Sequence, residues 1–222
     1  EGAVCESDCV EAIQWGDIHL AHIDLNIQRM FWKGANSVID LLKPNVQFFH
    51  DLIDGHSHNP HEAKNPLRQY QNFISGNNCV RTEFENAQWF LDFEAHRDWC
   101  KSYVIWSNHD EFMRRWLHES NYKSDHVNSK FILKNELLAR EQADRGESVS
   151  YFRNALDSQK STVLTSDEGN LSIKGVLCDF HGHNGSGGSR GSAMGFSKSG
   201  HKTMTGHSHS AWWIAGATSA GT

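Results

Sequence analysis

Short apolar runs alternate with longer amphipathic ones along this chain, and His, Asp and Asn gather where the short runs stop. Residues 12–15, Ala-Ile-Gln-Trp, read as a buried strand running into Gly16-Asp17. Ile23, Ile27, Met30, Phe31, Val38, Leu41 and Leu42 then recur at helical spacing as far as Pro44, which predicts one continuous helix. Residues 46–49, Val-Gln-Phe-Phe, are a second strand. Strand, helix, strand in this length predicts a βαβ unit with a parallel pair.

Residues 59–100 are polar, contain Pro60 and Pro66, and carry two helical patterns, the clearer placing Val80, Phe84, Ala87, Leu91 and Glu94 on one face. Residues 103–106 predict a third strand, 111–118 and 129–145 helices, and 146–150 a loop. Residues 163–165 and 171–173 flank an Asp-Glu-Gly-Asn turn and predict a hairpin. Further strands are expected at 176–180 and 202–205, separated by a Gly- and Ser-rich stretch over 184–200. Trp212, Trp213 and Ile214 predict either a closing strand or an apolar surface for a partner. The economical reading is one α/β domain over residues 1–222 with a helical insertion at about 59–100. The chain does not begin with Met and stops in Ala-Gly-Ala-Thr-Ser-Ala-Gly-Thr, which suggests a segment of a longer protein or a processed chain.

Composition narrows the classes. No apolar run is long enough to cross a bilayer, and no basic-then-apolar leader opens the sequence, so a cytoplasmic protein is expected. Cysteines 5, 9, 79, 100 and 178 are odd in number and lack zinc-knuckle spacing; free thiols in a reducing compartment are expected. The net charge of −6 argues mildly against nucleic acid, but two bound divalent ions would add four positive charges where a phosphate lies.

Five clusters carry the chemistry: Asp17-Ile18-His19, His50-Asp51-Leu52-Ile53-Asp54, Ser107-Asn108-His109-Asp110, His181-Gly182-His183 and Gly206-His207-Ser208-His209. Imidazole and carboxylate converging from several strand ends suit divalent metals, and α/β sheets gather ligands at those ends. Asp17 and His19, and again His207 and His209, alternate so that both members can face one side. Asp51 is the natural bridging carboxylate, Asn108 offers a neutral oxygen, and His181 or His183 completes the second ion.

In this order on a βαβ framework, the clusters resemble the calcineurin-like metallophosphoesterase superfamily, over about residues 12–210. The resemblance implies a two-sheet sandwich flanked by helices, with a two-metal centre at the strand ends. It implies Asp17, His19, Asp51 and His209 on the first metal, and Asp51, Asn108, His181 and His207 on the second. His109 would face the leaving group, with Asp54 as its supporting carboxylate, while His183 and His50 remain candidates for a ligand or a supporting position. Two departures stand out: His50 and Ser107 stand where the superfamily has glycine. The two-metal template implies hydrolysis of a phosphate ester by a bridging hydroxide. Manganese is the preferred ion, with magnesium, iron, zinc or cobalt as alternatives.

The wording around Ser107–Phe112 and Arg114-Arg115-Trp116-Leu117, the block from His181 through Ser192, and the Gly206–Ser210 ending resemble the pre-early DNA-degrading proteins of tailed bacteriophages. That narrower resemblance implies a DNase acting in the cytoplasm of an infected bacterium, as an oligomer or with additional domains. Arg190 and Lys198 in the glycine loop, and Arg114 and Arg115, are candidates for phosphate or DNA contact. His56, His58 and His61 are candidates for lining the site's entrance. Two other functions remain: a small-substrate phosphatase or nucleotide phosphodiesterase with the same centre, and a metal-binding interaction module without turnover.

Overall fold

A computed structural model describes residues 10–59, 62, 64–164, 171–185, 191–214 and 217–219. Four strands, β1 (Ala12–Asp17), β2 (Val46–His50), β3 (Lys101–Ile105) and β4 (Ser161–Leu164), form a sheet in the order β1-β2-β3-β4, with every neighbouring pair parallel. Helices make the crossovers. These are α1 (Leu25–Trp32) and α2 (Val38–Leu42), then α3 (Pro66–Ser75) and α4 (Val80–Trp89), then α5 (Asn108–Glu119), α6 (Ser129–Asp144) and α7 (Tyr151–Leu156). A π-helical stretch, Phe90–Glu94, continues α4, so the 59–100 region is the β2-to-β3 crossover.

A second sheet is mixed. Its strands are β5 (Ser172–Ile173), β6 (Val176–Leu177), β7 (Lys202–Thr205), β8 (Trp212–Ile214) and β9 (Ala217–Ser219), in the order β5-β6-β7-β9-β8. β6, β7 and β9 run parallel, and β5 and β8 flank them antiparallel. A short helix, α8 (Ala193–Ser197), lies inside the Gly/Ser-rich stretch. No helix among the described residues is long and apolar enough to cross a membrane.

Strand alternation divides the apolar residues between two cores. Trp15, Phe49 and Val104 join Trp32, Phe84, Phe90, Leu91, Met113 and Leu156 under the helices. Phe48 and Ile105, on the other face, join Cys178 and are covered by Ile173, Val176 and Met204 of the second sheet. The parallel sheet is thus covered on both sides, as such sheets require, in an arrangement compatible with an α/β sandwich. Gln47 is a buried polar side chain on β2: it accepts from Trp15 Nε1 and donates to Ala95 O and Ser102 Oγ, each at 2.9 Å. Its hydrogen-bonding groups are thereby satisfied where water cannot reach.

Two expectations change. The run from Ile23 to Leu42 is two helices, broken over residues 33–37. Asp24 caps α1, its carboxylate accepting from Asn26 N at 2.7 Å. Arg97 then holds the break, donating to Asp40 Oδ1 and Oδ2 at 2.7 and 2.8 Å and to Trp32 O at 2.8 Å. Periodicity reports which side faces the core and does not register a break that keeps the same side inward. The second change concerns the hairpin. β4 pairs with β3 and β5 with β6, so the segments expected to pair lie in different sheets; the Asp-Glu-Gly-Asn turn lies outside the described residues. The hairpin present joins β5 to β6 through Lys174 (φ 48°) and Gly175 (φ 80°). Two positive φ values are what a two-residue turn matching strand twist needs, and glycine supplies the second without strain. Trp212–Ile214 is a strand, with Trp213 exposed.

Candidate metal centre

Hydrogen bonding between β1 and β2 continues past the strand ends. Ile18 N donates to His50 O (3.0 Å), His19 N to Asp51 O (2.9 Å) and Leu20 N to Leu52 O (3.2 Å). The two segments leave the sheet side by side, so Asp17, His19 and Asp51 emerge together. The second sheet approaches through the segment after β7, where Gly206 N donates to His181 O at 2.8 Å. A Cβ on Gly206 would lie 2.5 Å from Asp17 Oδ1 and 2.9 Å from His50 Cβ. Only glycine permits that approach, and it brings His207 N to Asp17 Oδ1 at 2.8 Å. Ser219 of β9 supports the turn, its hydroxyl meeting Ser208 Oγ at 2.8 Å and donating to Gly206 O at 3.3 Å.

His19 (φ 46°), Asp51 (φ 39°), His207 (φ 67°) and His209 (φ 50°) are all left-handed, four of the seven non-glycine residues described with positive φ. Each such residue costs on the order of 1–3 kcal/mol and persists where surroundings impose it, typically at a functional site.

The donor atoms fall into groups. Those of His19, Asp51 and His209 lie within 4.8 Å of one another, as do those of Asp51, His181 and His207. Asp51 belongs to both. Its Oδ2 is 3.2 Å from His181 Nε2. Burial alone would raise its pKa; the contact with His181, helped by His109, instead holds it well below the usual carboxylate range. Asp17 Oδ2 is 3.5 Å from His209 Nε2, and its Oδ1 is 3.9 Å from His181 Nδ1. Asn108 Oδ1 is 3.0 Å from His181 Nε2. These are the seven positions singled out in the sequence as ligands.

Several atoms here are buried without a hydrogen-bond partner, among them His19 Nε2 and Asp51 Oδ1. Left unmet, each costs about 1–3 kcal/mol. An imidazole, carboxylate and amide set with such orphaned acceptors fits a divalent transition cation.

Asn108 and His109 are the first two residues of α5. Ser107 caps that helix: its hydroxyl accepts from His109 N and Asp110 N, while Asp110 Oδ2 accepts from Ser107 N at 2.8 Å. This capping box satisfies helix-end donors and fixes both side chains at the site. It also aims the positive end of the helix there. His109 Nδ1 is 3.1 Å from Asp54 O, and its ring lies 5.1 Å from His19 and 5.0 Å from Phe112. A carbonyl only accepts, so Nδ1 is the donor in this contact. Asp54 therefore meets His109 with its backbone, and its carboxylate turns to His19 Nδ1 at 3.1 Å.

His183 belongs to neither group. Asn184 Nδ2 donates to its Nε2 at 2.9 Å, and its ring packs 4.9 Å from Trp106. Burial, then the neighbouring His181 and His207, push its pKa down to about 4. His50 is fully buried, and its Nδ1 lies 3.4 Å from His181 Nδ1. Burial holds its pKa down at about 3. His58 is a core residue against Glu83 and Phe84 rather than an entrance lining. Arg114 and Arg115 both pair with Glu111, and Lys198 is exposed after α8. Arg190 and His61 lie outside the described residues. Beside the centre, Trp106, Glu111, Arg114, His118, Arg140 and Tyr151 line a groove of about 790 Å³.

A third group, His22, Asp54 and His56, also has donor atoms within 4.8 Å of one another. The sequence reading did not assemble it. The signal was present: Asp54-Gly55-His56 repeats the Asp-x-His spacing of Asp17-Ile18-His19.

No family model and no solved structure matches the chain. The chain is similar to Protein A1 of Escherichia phage T5, at 30% identity over 96% of its own length and 39% of that protein's. It therefore spans about two fifths of the curated relative it matches.

Proposed function

We propose that this chain is a metal-dependent phosphodiesterase of the calcineurin-like kind, holding two divalent ions and hydrolysing DNA in a phage-infected bacterium. The observation that carries this reading is the pair of donor groups sharing Asp51, with His109 beside them. The first ion would be held by Asp17, His19, Asp51 and His209, the second by Asp51, Asn108, His181 and His207. Divalent ions there, manganese foremost, would supply Lewis acidity toward phosphate oxygens and a water of lowered pKa.

The chain's own residues do the rest. Asp17 and Asp51 fix negative charge at the centre, while Asn108 adds an oxygen without charge. The α5 N-terminus favours an anion at the same place. His109, its Nδ1 proton held by Asp54 O, presents Nε2 to take up or return a proton at the leaving oxygen. His50 meets the far nitrogen of His181 and so orients that ligand.

Support for DNA comes from the sequence blocks around Asn108, His181 and His207 and from similarity to a phage protein. One observation favours a second reading, a phosphatase for small esters: Arg114 and Arg140, the cations lining the groove, are paired with Glu111 and Glu136. Digestion of linear and plasmid DNA by the manganese-loaded protein, beside hydrolysis of a small phosphate monoester and a cyclic nucleotide, separates the two. Intact DNA with turnover of small esters overturns the nuclease reading. His109→Gln should lower turnover by about 10²–10⁴-fold with metal content unchanged. An unaltered rate would remove His109 from the reaction, and metal binding without any turnover would leave an interaction module as the better account.

A further inference from the structure

We propose that His22, Asp54 and His56 form a third divalent-cation site, joined to the shared centre through Asp54. His22 Nε2 and His56 Nε2 are 2.7 Å apart, and His22 Nε2 is 3.9 Å from Asp54 Oδ1. The rings meet edge to face, at 4.7 Å and 85°. Both histidines sit on anchored turns. His22 N donates to His19 O at 2.8 Å just past β1, and His56 O accepts from the buried Asn72 on α3 at 3.1 Å.

The independent observation is the carboxylate. Asp54's side chain is 8% exposed, and its Oδ2 is buried with no hydrogen-bond partner, while Oδ1 lies 3.1 Å from His19 Nδ1. A buried carboxylate oxygen without a donor is costly. A cation held by this carboxylate and the two imidazoles, whose donor atoms lie within 4.8 Å of one another, offsets that cost. Two imidazoles and one carboxylate are also the donor set of catalytic zinc sites that leave positions open to water or substrate. The short contact between the rings is an N–H···N bond in which one ring donates, and an ion takes the place of that single proton. Zinc–nitrogen bonds of about 2.0–2.1 Å in tetrahedral geometry need the nitrogens roughly 3.3 Å apart. His22, with 64% of its side chain exposed, has the freedom to move that distance.

A groove of about 580 Å³ opens at His22 and His56, lined also by Arg68, Gln71 and Asn77. It gives an ion access and leaves room for an anionic oxygen, such as a phosphate, on the open positions. Asp54 also holds His19, a member of the first donor group. An ion at the third site therefore competes with His19 for one carboxylate. That last link rests on the proposed function; the site itself does not.

The test is the number of zinc or manganese ions bound per chain at saturation, by equilibrium dialysis and elemental analysis. The wild type should hold three and the His22→Ala/His56→Ala variant two. Replacing His22 by aspartate, which keeps a donor, should restore the third. A wild type that saturates at two, or a double variant that binds as many ions as the wild type, overturns the third site. Asp51→Asn should lose the shared pair and keep one ion. If that variant instead binds like the wild type, the shared centre fails and the third site stands. Cobalt absorption, compared across the same variants, reports the coordination directly and does not depend on turnover.

Discussion

The two sheets meet at one site and bring different things to it. The four-stranded sheet supplies both carboxylates, Asp17 and Asp51, together with His19 and Asn108. The five-stranded sheet supplies only imidazoles, His181, His207 and His209. Their foundations differ as well. The first sheet is backed by the large core around Trp32, Phe84 and Phe90. The second rests on two- to four-residue strands and the small cluster of Phe48, Ile105 and Cys178. Asp17 and Asp51 are buried, whereas the side chain of His209 is 56% exposed. The carboxylates come from the half with the larger core, and the thinner half delivers imidazoles. Among the described residues, the imidazoles of His181 and His209 lie within 4.0 Å of these buried carboxylates.

Among the metal-donor positions, the largest effect should follow from removing the shared carboxylate. Asp51→Asn should lower phosphodiester hydrolysis on the order of 10³-fold, as losing several kcal/mol of transition-state stabilisation implies. His209→Ala, at the exposed edge of the second sheet, should cost distinctly less. Steady-state rates at saturating manganese check this, and equal losses would erase the distinction between the halves.

Metal should stabilise the halves unequally. At a hundred times its dissociation constant, a cation adds about 2.7 kcal/mol to a folded state that alone binds it. Amide exchange should show the gain chiefly at β6 and β7, whose short strands open most readily without it. The amides of β2 and β3 should change less. Uniform protection across both sheets would mean that they open together.

His50 lies where the comparison is sharpest, a residue of the first sheet touching a ligand from the second. Its Nδ1 faces His181 Nδ1 at 3.4 Å, and burial keeps it neutral, so it can accept a proton from His181. His50→Leu should weaken metal binding by roughly 10–100-fold, the usual cost of losing a partner that orients a ligand. A titration showing unchanged affinity would reduce His50 to packing.

How far the sequence foretold this arrangement depended on the kind of signal. β2 and β3 were legible because apolar runs such as Val-Gln-Phe-Phe end abruptly at polar residues. The positions of Asp17, Asp51, His181 and His207 were legible because each lies at or shortly past the end of a strand, and chain direction alone brings such ends together. The break between α1 and α2 was not, since Arg97 holds it from a distance of 57 residues. Nor was the pairing of β4, because a parallel partner leaves no local mark. The direction of Asp54 was also hidden. Sequence names the residue, but only the backbone path decides that its carbonyl meets His109 and its carboxylate meets His19. His22 escaped for a related reason: it becomes part of a cluster only once the turn after β1 folds back beside Asp54.

The smallest effect concerns Ser107, the residue standing where the resembling superfamily has glycine. Its φ of −126° is ordinary extended backbone, so the position itself does not demand glycine. The hydroxyl has a task instead, accepting from His109 N and Asp110 N at the start of α5. Ser107→Ala removes that acceptor and should cost about 1 kcal/mol, whereas Ser107→Gly should cost only a few tenths. Denaturant unfolding of the two variants measures the difference. An alanine variant as stable as the wild type would show that the cap contributes nothing and that Asp110 alone holds the helix start. In the expected order, the serine hydroxyl holds the chain where it turns from β3 into the helix carrying Asn108 and His109.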